Sequence, residues 1–471
     1  MKRFGHNLIS YEMLPIIFTL AWPTMLEQLM QTAVQYVDTA MVGVLGTQAT
    51  AAVGATTTLT WLITGVLSAL GIGFLTFIAR SLGCKQYHEA RQIAAQSVCV
   101  VLFSGIVFTV LVLSFSPLVP ALMQVAPEIR TLAASYFFIL YIPTLPRAAT
   151  IIFGTVLRAA GDSKTPMLVG LSVNLINLVL NLLLIYPTRT VLCFSHSITI
   201  PGAGLGVAGA AAASAIAITV GGIAITLVFW HHPQLSPKGV KILPDAKILK
   251  PCMRVAVPNI FQRFATSLGY VSFASMINAL GEVSAAAHTI ANTVESAFYI
   301  PGYGMQTAAS TLAGNAAGTQ NKQRMQDLTR TILVIEALLM VLSGGLLFLF
   351  APDMMSLFSD NPQVIALGSI VLRMVAVSEP FFGISIIIEG ILYGVGDTLR
   401  PFIYNVAGMW GIRIVGTFLC TEVLGMGLVS AWGCMILHNL FVFALFTLYC
   451  IRGKESPLNP SWNTPNPTDK E

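Results

Sequence analysis

Asp38, Asn177 and Asn181 are the residues whose types and placement point most directly to chemistry, because each lies in an otherwise apolar stretch. Asn177 and Asn181 are four residues apart and share one face of a helix. Ala210 and Ser214 repeat that spacing in the next stretch. Asp38 follows Pro23 by 15 residues, about four turns beyond a point where the helix lacks a donor. One carboxylate with two amide oxygens offers only oxygen ligands, which suits a small hard cation. The same trio can instead hold a proton on Asp38. The competing reading is an interhelical hydrogen-bond cluster that binds nothing, since Asn and Ser commonly join membrane helices. An unpaired Asp in lipid costs at least ~2.5–3.5 kcal/mol, which favours the cation site.

Other charges stand in apolar stretches and must face a cavity or find a partner. They are Glu27 and Arg147 in the first half, and Arg263, Glu295, Arg373, Glu379, Glu389 and Arg413 in the second. Arg263 and Arg413 fall near mid-membrane together with Glu295 and Glu389. Either two buried Arg–Glu pairs lock this half, or at least one Glu faces a cavity and holds a cationic substrate. Phe298, Tyr299, Tyr303 and Met305 then offer the adaptable wall that promiscuous binding needs. His288 reads as a hydrogen-bonded packing residue, and His231–His232 as an interface pair at a helix end. There is no Gly-x-Ser-x-Gly elbow, phosphate loop or His-Glu-x-x-His. The expectation is therefore a protein that is not an enzyme and carries no cofactor, Na+ at Asp38 being the one metal candidate. The seven cysteines have no regular spacing and suggest neither a disulfide framework nor a metal site.

The elements that must position these residues are membrane helices. Apolar residues make up 55% of the chain and charged ones 10%, well below the usual quarter for a soluble domain. Stretches of about 20 residues or more occur at 14–42, 47–80, 94–116, 132–157, 165–187, 206–231, 252–279, 284–316, 328–351, 364–394, 402–424 and 428–451. The expected fold is an all-α integral membrane protein of twelve transmembrane helices. A shift of 235 residues places Pro23 on Pro258, Gly46 on Gly281, Gly83 on Gly318, Gly161–Asp162 on Gly396–Asp397 and Pro166 on Pro401. Six spans per repeat predict two parallel six-helix lobes related by a pseudo-two-fold axis along the membrane normal. The halves share this scaffold but not their ionisable groups, since Asp38 aligns with Phe273 and Glu389 with Gly154.

The predicted organisation is an N-terminal lobe at 10–231, a cytoplasmic linker with a short amphipathic helix at 232–250, a C-terminal lobe at 251–452 and a disordered cytoplasmic tail at 453–471. Lys and Arg cluster in alternate loops, among them Arg80, Lys85, Arg91, Lys238, Lys241, Lys322 and Arg452. Both termini are therefore expected in the cytoplasm, with the chain in the plasma (inner) membrane. The net charge of +5 needs no nucleic-acid partner. A small-molecule substrate and the bilayer are the expected partners, and a monomer the expected state.

Several segments together carry a family resemblance. They are Val37-Asp38-Thr39-Ala40-Met41-Val42-Gly43, the turn from Leu157 to Pro166 with its copy Leu392-Tyr393-Gly394-Val395-Gly396-Asp397, and Asn174 to Asn181. With two six-span repeats they resemble the multidrug and toxic compound extrusion (MATE) transporters over residues 10–450. The resemblance implies export of amphipathic, often cationic compounds driven by inward movement of Na+ or H+. Na+-binding relatives are expected to place a carboxylate on span 1, Asn and Asp four apart on span 5 and a hydroxyl on span 6. Asp38, Asn177 and Ser214 fit that pattern, while Asn181 stands where the second carboxylate belongs. Carboxylates that one branch carries on spans 7 and 10 are replaced here by Thr266 and Phe382. A lipid-linked oligosaccharide flippase of the same superfamily is the alternative, disfavoured because only Arg147, Arg263 and Arg413 are at hand for a pyrophosphate.

Overall fold

Duplication is written into the backbone as well as the sequence. A computed structural model describes residues 9–123, 125–193, 196–453 and 456. Gly46 and Gly281, one repeat apart, both take left-handed φ (108° and 99°), as do Gly161 and Gly396 (86° and 90°). Lys85 and Gln320 are also one repeat apart and are the non-glycine residues with positive φ among the described residues. That conformation is uncommon for residues with a Cβ. Its recurrence at matching positions means the same turns were built twice.

The helices are α1 (Met13–Gly43), α2 (Thr47–Gly83), α3 (Tyr87–Phe115), α4 (Pro127–Tyr141 and Thr144–Ala159), α5 (Lys164–Leu184) and α6 (Gly206–His231). The second half continues with α7 (Ala246–Asn278), α8 (Glu282–Gly318), α9 (Lys322–Leu349), α10 (Pro362–Val395), α11 (Leu399–Val423) and α12 (Leu428–Arg452). Among the described residues nine of these are long and apolar enough to cross a membrane. The tenth is α4, bent by 53° where Pro143 withholds a donor. The remaining two, α7 and α8, are as long but carry Arg254, Arg263, Glu282 and Glu295 among their apolar residues. Two stretches of α11, Ala407–Ile414 and Leu419–Val423, are wound as π-helix, a form that often marks functional positions.

The Gly-Asp turns show why those two residue types recur. Gly161 ends α4 with its N–H on Arg158 O, and Asp162 N–H returns to Leu157 O (3.1 Å). Gly396 ends α10 in the same way, with Asp397 N–H on Leu392 O (2.9 Å). Glycine supplies the left-handed residue that this helix stop requires. The aspartate then starts the next helix: Thr165 N–H donates to Asp162 Oδ1 (3.0 Å), and Arg400 N–H to Asp397 Oδ1 (3.4 Å).

Two segments depart from the sequence-based expectation. An antiparallel hairpin, β1 (Pro187–Cys193) with β2 (His196–Ala203), stands between α5 and α6 and has no counterpart between α11 and α12. It is an insertion in the first repeat. The amphipathic helix expected within 232–250 does not form. Residues 232–245 are turns and irregular chain, consistent with Pro233, Pro237 and Pro244 breaking any helix, and α7 begins at Ala246. This segment is strapped to α3. Arg91 donates to Ser236 O (3.1 Å) and Lys238 O (2.7 Å), while Gln96 bonds both Leu243 O and the N–H of Asp245 (2.9 Å each). The tail expected to be disordered lies, apart from Gly453 and Ser456, outside the described residues.

Packing divides the chain into two compact units, and their boundaries do not follow the repeat. One, the N-unit, holds Leu29–Phe74 and Tyr87–Lys250. The other, the C-unit, holds the chain up to Gln28, Leu75–Gln86 and the chain from Pro251 on. Helices α1 and α2 are thus each shared. The core of the C-unit reflects this: Ile17, Leu20 and Ala21 from α1 pack with Met305, Ala308 and Leu312 from α8. Thr24 Oγ1 donates to Gly304 O (2.8 Å), and Thr76 Oγ1 to Tyr393 O (2.7 Å).

Within the C-unit the end of α2 crosses the end of α8 through repeat-related glycines. A Cβ on Gly83 would overlap the carbonyl oxygen of Asn315, and one on Gly318 would overlap that of Arg80. Arg80 and Asn315 are themselves one repeat apart, so each glycine meets the other's copy of the same carbonyl. One turn back, a Cβ on Gly314 would stand 2.9 Å from that of Ala79, its own repeat partner. Small residues allow backbones to approach this closely in membrane helices.

Candidate functional site

In the N-unit, Asp38 on α1, Asn177 and Asn181 on α5 and Ser214 on α6 are joined in one chain of hydrogen bonds. Asn181 Nδ2 donates to Asp38 Oδ1 and to Asn177 Oδ1, each at 2.6 Å. Asn177 Nδ2 then donates to Ser214 Oγ at 2.9 Å. Asn181 is buried and Asp38 half-buried. The i, i+4 spacing on α5 stacks the two amides, and contact of α5 with α6 brings Ser214 to them. Asn181 Oδ1 is buried and has no hydrogen-bond partner among the described residues, which leaves an oxygen acceptor beside the Asp38 carboxyl. Ala210, one turn before Ser214, packs in an apolar cluster with Val42, Ala49, Ile185 and Val207. It supplies no side-chain oxygen.

In the C-unit the two expected Arg–Glu pairs do not close: among the described residues neither Arg263 with Glu389 nor Arg413 with Glu295 forms an ion pair. Glu389 is held instead by neutral donors. Gln262 Nε2 (2.6 Å), Tyr393 Oη (2.5 Å) and Asn405 Nδ2 (3.1 Å) donate to its Oε1, and Gln306 Nε2 (3.1 Å) to its Oε2. Arg263 lies within electrostatic reach of Glu389, with its own Nε buried and unpartnered. Arg413, on a π-helical stretch of α11, lies over the rings of Phe273 (4.1 Å) and Tyr270 (5.0 Å) and donates to Met435 Sδ (3.0 Å). Its delocalised cation is thus stabilised by aromatic faces. Glu295 is buried within electrostatic reach of it.

Tyr299 meets Tyr303 and Phe382 edge-on, with centroids 5.9 and 5.6 Å apart. Met305 belongs to the packed core around Ile17 and Leu20 and not to that aromatic group. His288 accepts from Trp432 Nε1 (3.2 Å) and contacts Phe273 and Trp432 edge-on, the packing role expected of it. The sequence reading missed Gln262, Gln306 and Asn405, which no local spacing connects to Glu389, and Tyr393, which lies at i+4 from it on the same helix. It also missed Glu336, a lone carboxyl inside the apolar run of α9 and fully buried. The rule that flagged the other intramembrane charges applies to it equally.

Known proteins are similar to this chain in sequence and fold. The MatE family pattern matches residues 23–183 and again 258–419, once per repeat. The chain belongs to the MatE family. A probable multidrug resistance protein NorM from Thermotoga maritima is 28% identical over 442 residues, covering 93% of this chain and 92% of its own length. The probable multidrug resistance protein YoeA of Bacillus subtilis is 23% identical over 413 residues, 87% of each. Among solved structures, a MATE in complex with MaD5 superposes with TM-score 0.83 at 22% identity, over 95% of this chain and 98% of that one. A MOP superfamily transporter from Pyrococcus furiosus, for which reverse polarity of the binding pocket suggests a different function, gives 0.83 at 23%, over 95% and 97%. The twelve-helix architecture is that of MATE transporters.

Proposed function

We propose that this MatE protein is a secondary antiporter of the plasma (inner) membrane, with both termini in the cytoplasm. It exports amphipathic, often cationic drugs or other toxic organic compounds by alternating access, in exchange for an inward-moving cation. Family membership and relatives described as probable multidrug resistance proteins support the efflux. The observation that carries the coupling is the bonded chain Asp38–Asn181–Asn177–Ser214 with an unpartnered amide oxygen at its centre.

H+ serves as coupling ion at least as readily as Na+. A bare Na+ needs compensating charge, and Asp38 alone only just neutralises it, with Asn177, Asn181 and Ser214 adding dipoles. A proton needs no such cage. Protonation turns Asp38 from acceptor into donor. The unpartnered Oδ1 of Asn181 is the acceptor that a rotated amide would present, and the turn would pass through Asn177 to Ser214. The flippase reading is weaker, because the intramembrane Arg147, Arg263 and Arg413 are outnumbered by carboxylates.

Efflux of a dye or fluoroquinolone from everted vesicles, driven separately by H+ and Na+ gradients, tests the proposal. Transport should proceed under a pH gradient without Na+. Asp38→Asn should abolish it while leaving expression and substrate binding intact. Efflux that is silent without Na+, and that gains pH-independent coupling in Asn181→Asp, would overturn the proton reading.

A further inference from the structure

Among the described residues, two buried carboxyl groups of the C-unit have no hydrogen-bond partner. Glu336 on α9 is 0% exposed and Glu379 on α10 is 1% exposed. All four of their carboxyl oxygens are buried without a hydrogen-bond partner, in contrast to Glu389 with its four donors. Glycines make the room. A Cβ on Gly302 of α8 would stand 2.7 Å from Glu336 Oε1, and one on Gly383 of α10 would stand 3.0 Å from it. Gly383 is one turn beyond Glu379 on the same helix, so the pocket that α8, α9 and α10 close around Glu336 lies one turn from Glu379. The Met340 side chain, one turn from Glu336, approaches the same two glycines.

The charged and titratable groups facing this pocket are few. Glu336 and Glu295 lie within electrostatic reach of Glu379, as do Tyr299 and Tyr303. Among the described residues no Lys, Arg or His forms an ion pair with Glu336 or Glu379. Arg413 lies within reach of Glu295 and is engaged by Phe273, Tyr270 and Met435. Two neighbouring carboxylates that share no ion-pair partner repel each other, which favours a proton held between them. A metal cation would demand about six oxygen ligands. Here the two carboxyls adjoin glycine and a thioether, and among the described residues no group of three His, Cys, Asp or Glu could hold a metal.

We propose that Glu336 and Glu379 form a proton-binding site of the C-unit, separate from Asp38 in the N-unit. Uptake converts one carboxylate and a hydronium ion into a carboxylic acid and water. The acid then has an O–H to donate, which a carboxylate lacks, and one negative charge fewer beside the second carboxyl. That a proton binds here does not depend on which ion drives export. Its use in the transport cycle does rest on proton coupling.

The test is infrared spectroscopy of the full-length protein in lipid nanodiscs through a pH titration. A neutral carboxylic-acid carbonyl band should be present in the wild type and persist in Asp38→Asn. It should shrink in Glu336→Gln and in Glu379→Gln, and lose their joint share in the double variant. Glutamine mimics the protonated acid in size and charge, so the variants should keep the wild-type melting temperature. Should they fail to fold, the wild-type and Asp38→Asn titrations decide. A full band in the double variant, or no such band in the wild type, overturns the site. Protons moved per substrate, counted in proteoliposomes, should fall in the double variant. Unchanged stoichiometry with a lost band would overturn the coupling role. Vesicles driven only by Na+ would overturn the proton reading of the proposed function while leaving the infrared result to stand by itself.

Discussion

At the scale of single residues, the second half of the chain is governed by how its carboxyls are satisfied. Glu389 faces no bonded counter-charge, only the amides of Gln262, Gln306 and Asn405 and the phenol of Tyr393. Among the described residues no ion pair occupies its oxygens, which leaves them open to a cationic partner. Glu389→Gln should therefore lower affinity for cationic substrates several-fold and leave neutral ones nearly unchanged, as read by fluorescence binding on purified protein. Equal loss for both classes would make Glu389 a structural residue. Tyr393→Phe removes one hydrogen bond to a charged acceptor and should cost about 1.5 kcal/mol of stability in thermal unfolding. The Asp38 group was legible in the sequence because Asn177 and Asn181 lie one turn apart and Asp38 is expensive in lipid. The Glu389 donors were not, because Gln262, Gln306 and Asn405 come from three other helices and are neutral residues. Only the fold brings them together.

At the scale of elements, glycine decides where helices stop and where they touch. The α2–α8 crossing leaves no room for a side chain on either Gly83 or Gly318. Gly83→Ala and Gly318→Ala should each destabilise the protein by about 1–3 kcal/mol, the cost of overpacking. The double variant should cost less than the sum, because either substitution already parts the helices. Melting temperatures of the three variants check both statements, and simple additivity would mean the two contacts act independently. The shift of 235 residues marked these glycines and both Gly-Asp turns from sequence alone. It was silent on the β1–β2 hairpin, which belongs to one repeat only, and it did not show the strap formed by 232–245. That segment carries three prolines and is held by Arg91 and Gln96 of α3, partners more than a hundred residues away.

At the scale of the whole molecule, the two repeats and the two packed units are different divisions of one chain. The C-unit takes its α1 and α2 segments from the first repeat, through Thr24 on Gly304, Thr76 on Tyr393 and the Gly83–Gly318 crossing. A fragment covering residues 241–471 should therefore be degraded or aggregate when expressed alone. It should become stable when residues 1–240 are expressed beside it, as judged by detergent-soluble yield and gel filtration. A well-behaved lone fragment would show that those segments contribute little. The glycine crossing also bears on the origin of the chain. Gly83 meets the neighbourhood of its own duplicate, and Gly318 returns the contact. In a half-length ancestor the same meeting would have been one surface facing itself across a dyad in a homodimer. Every mutation at such a contact was then made twice at once. Fusion of the two copies removed that constraint, and the differences between Arg80 and Asn315, between Ala79 and Gly314, and between Cys84 and Thr319 are changes that the unfused pair could not have made one side at a time.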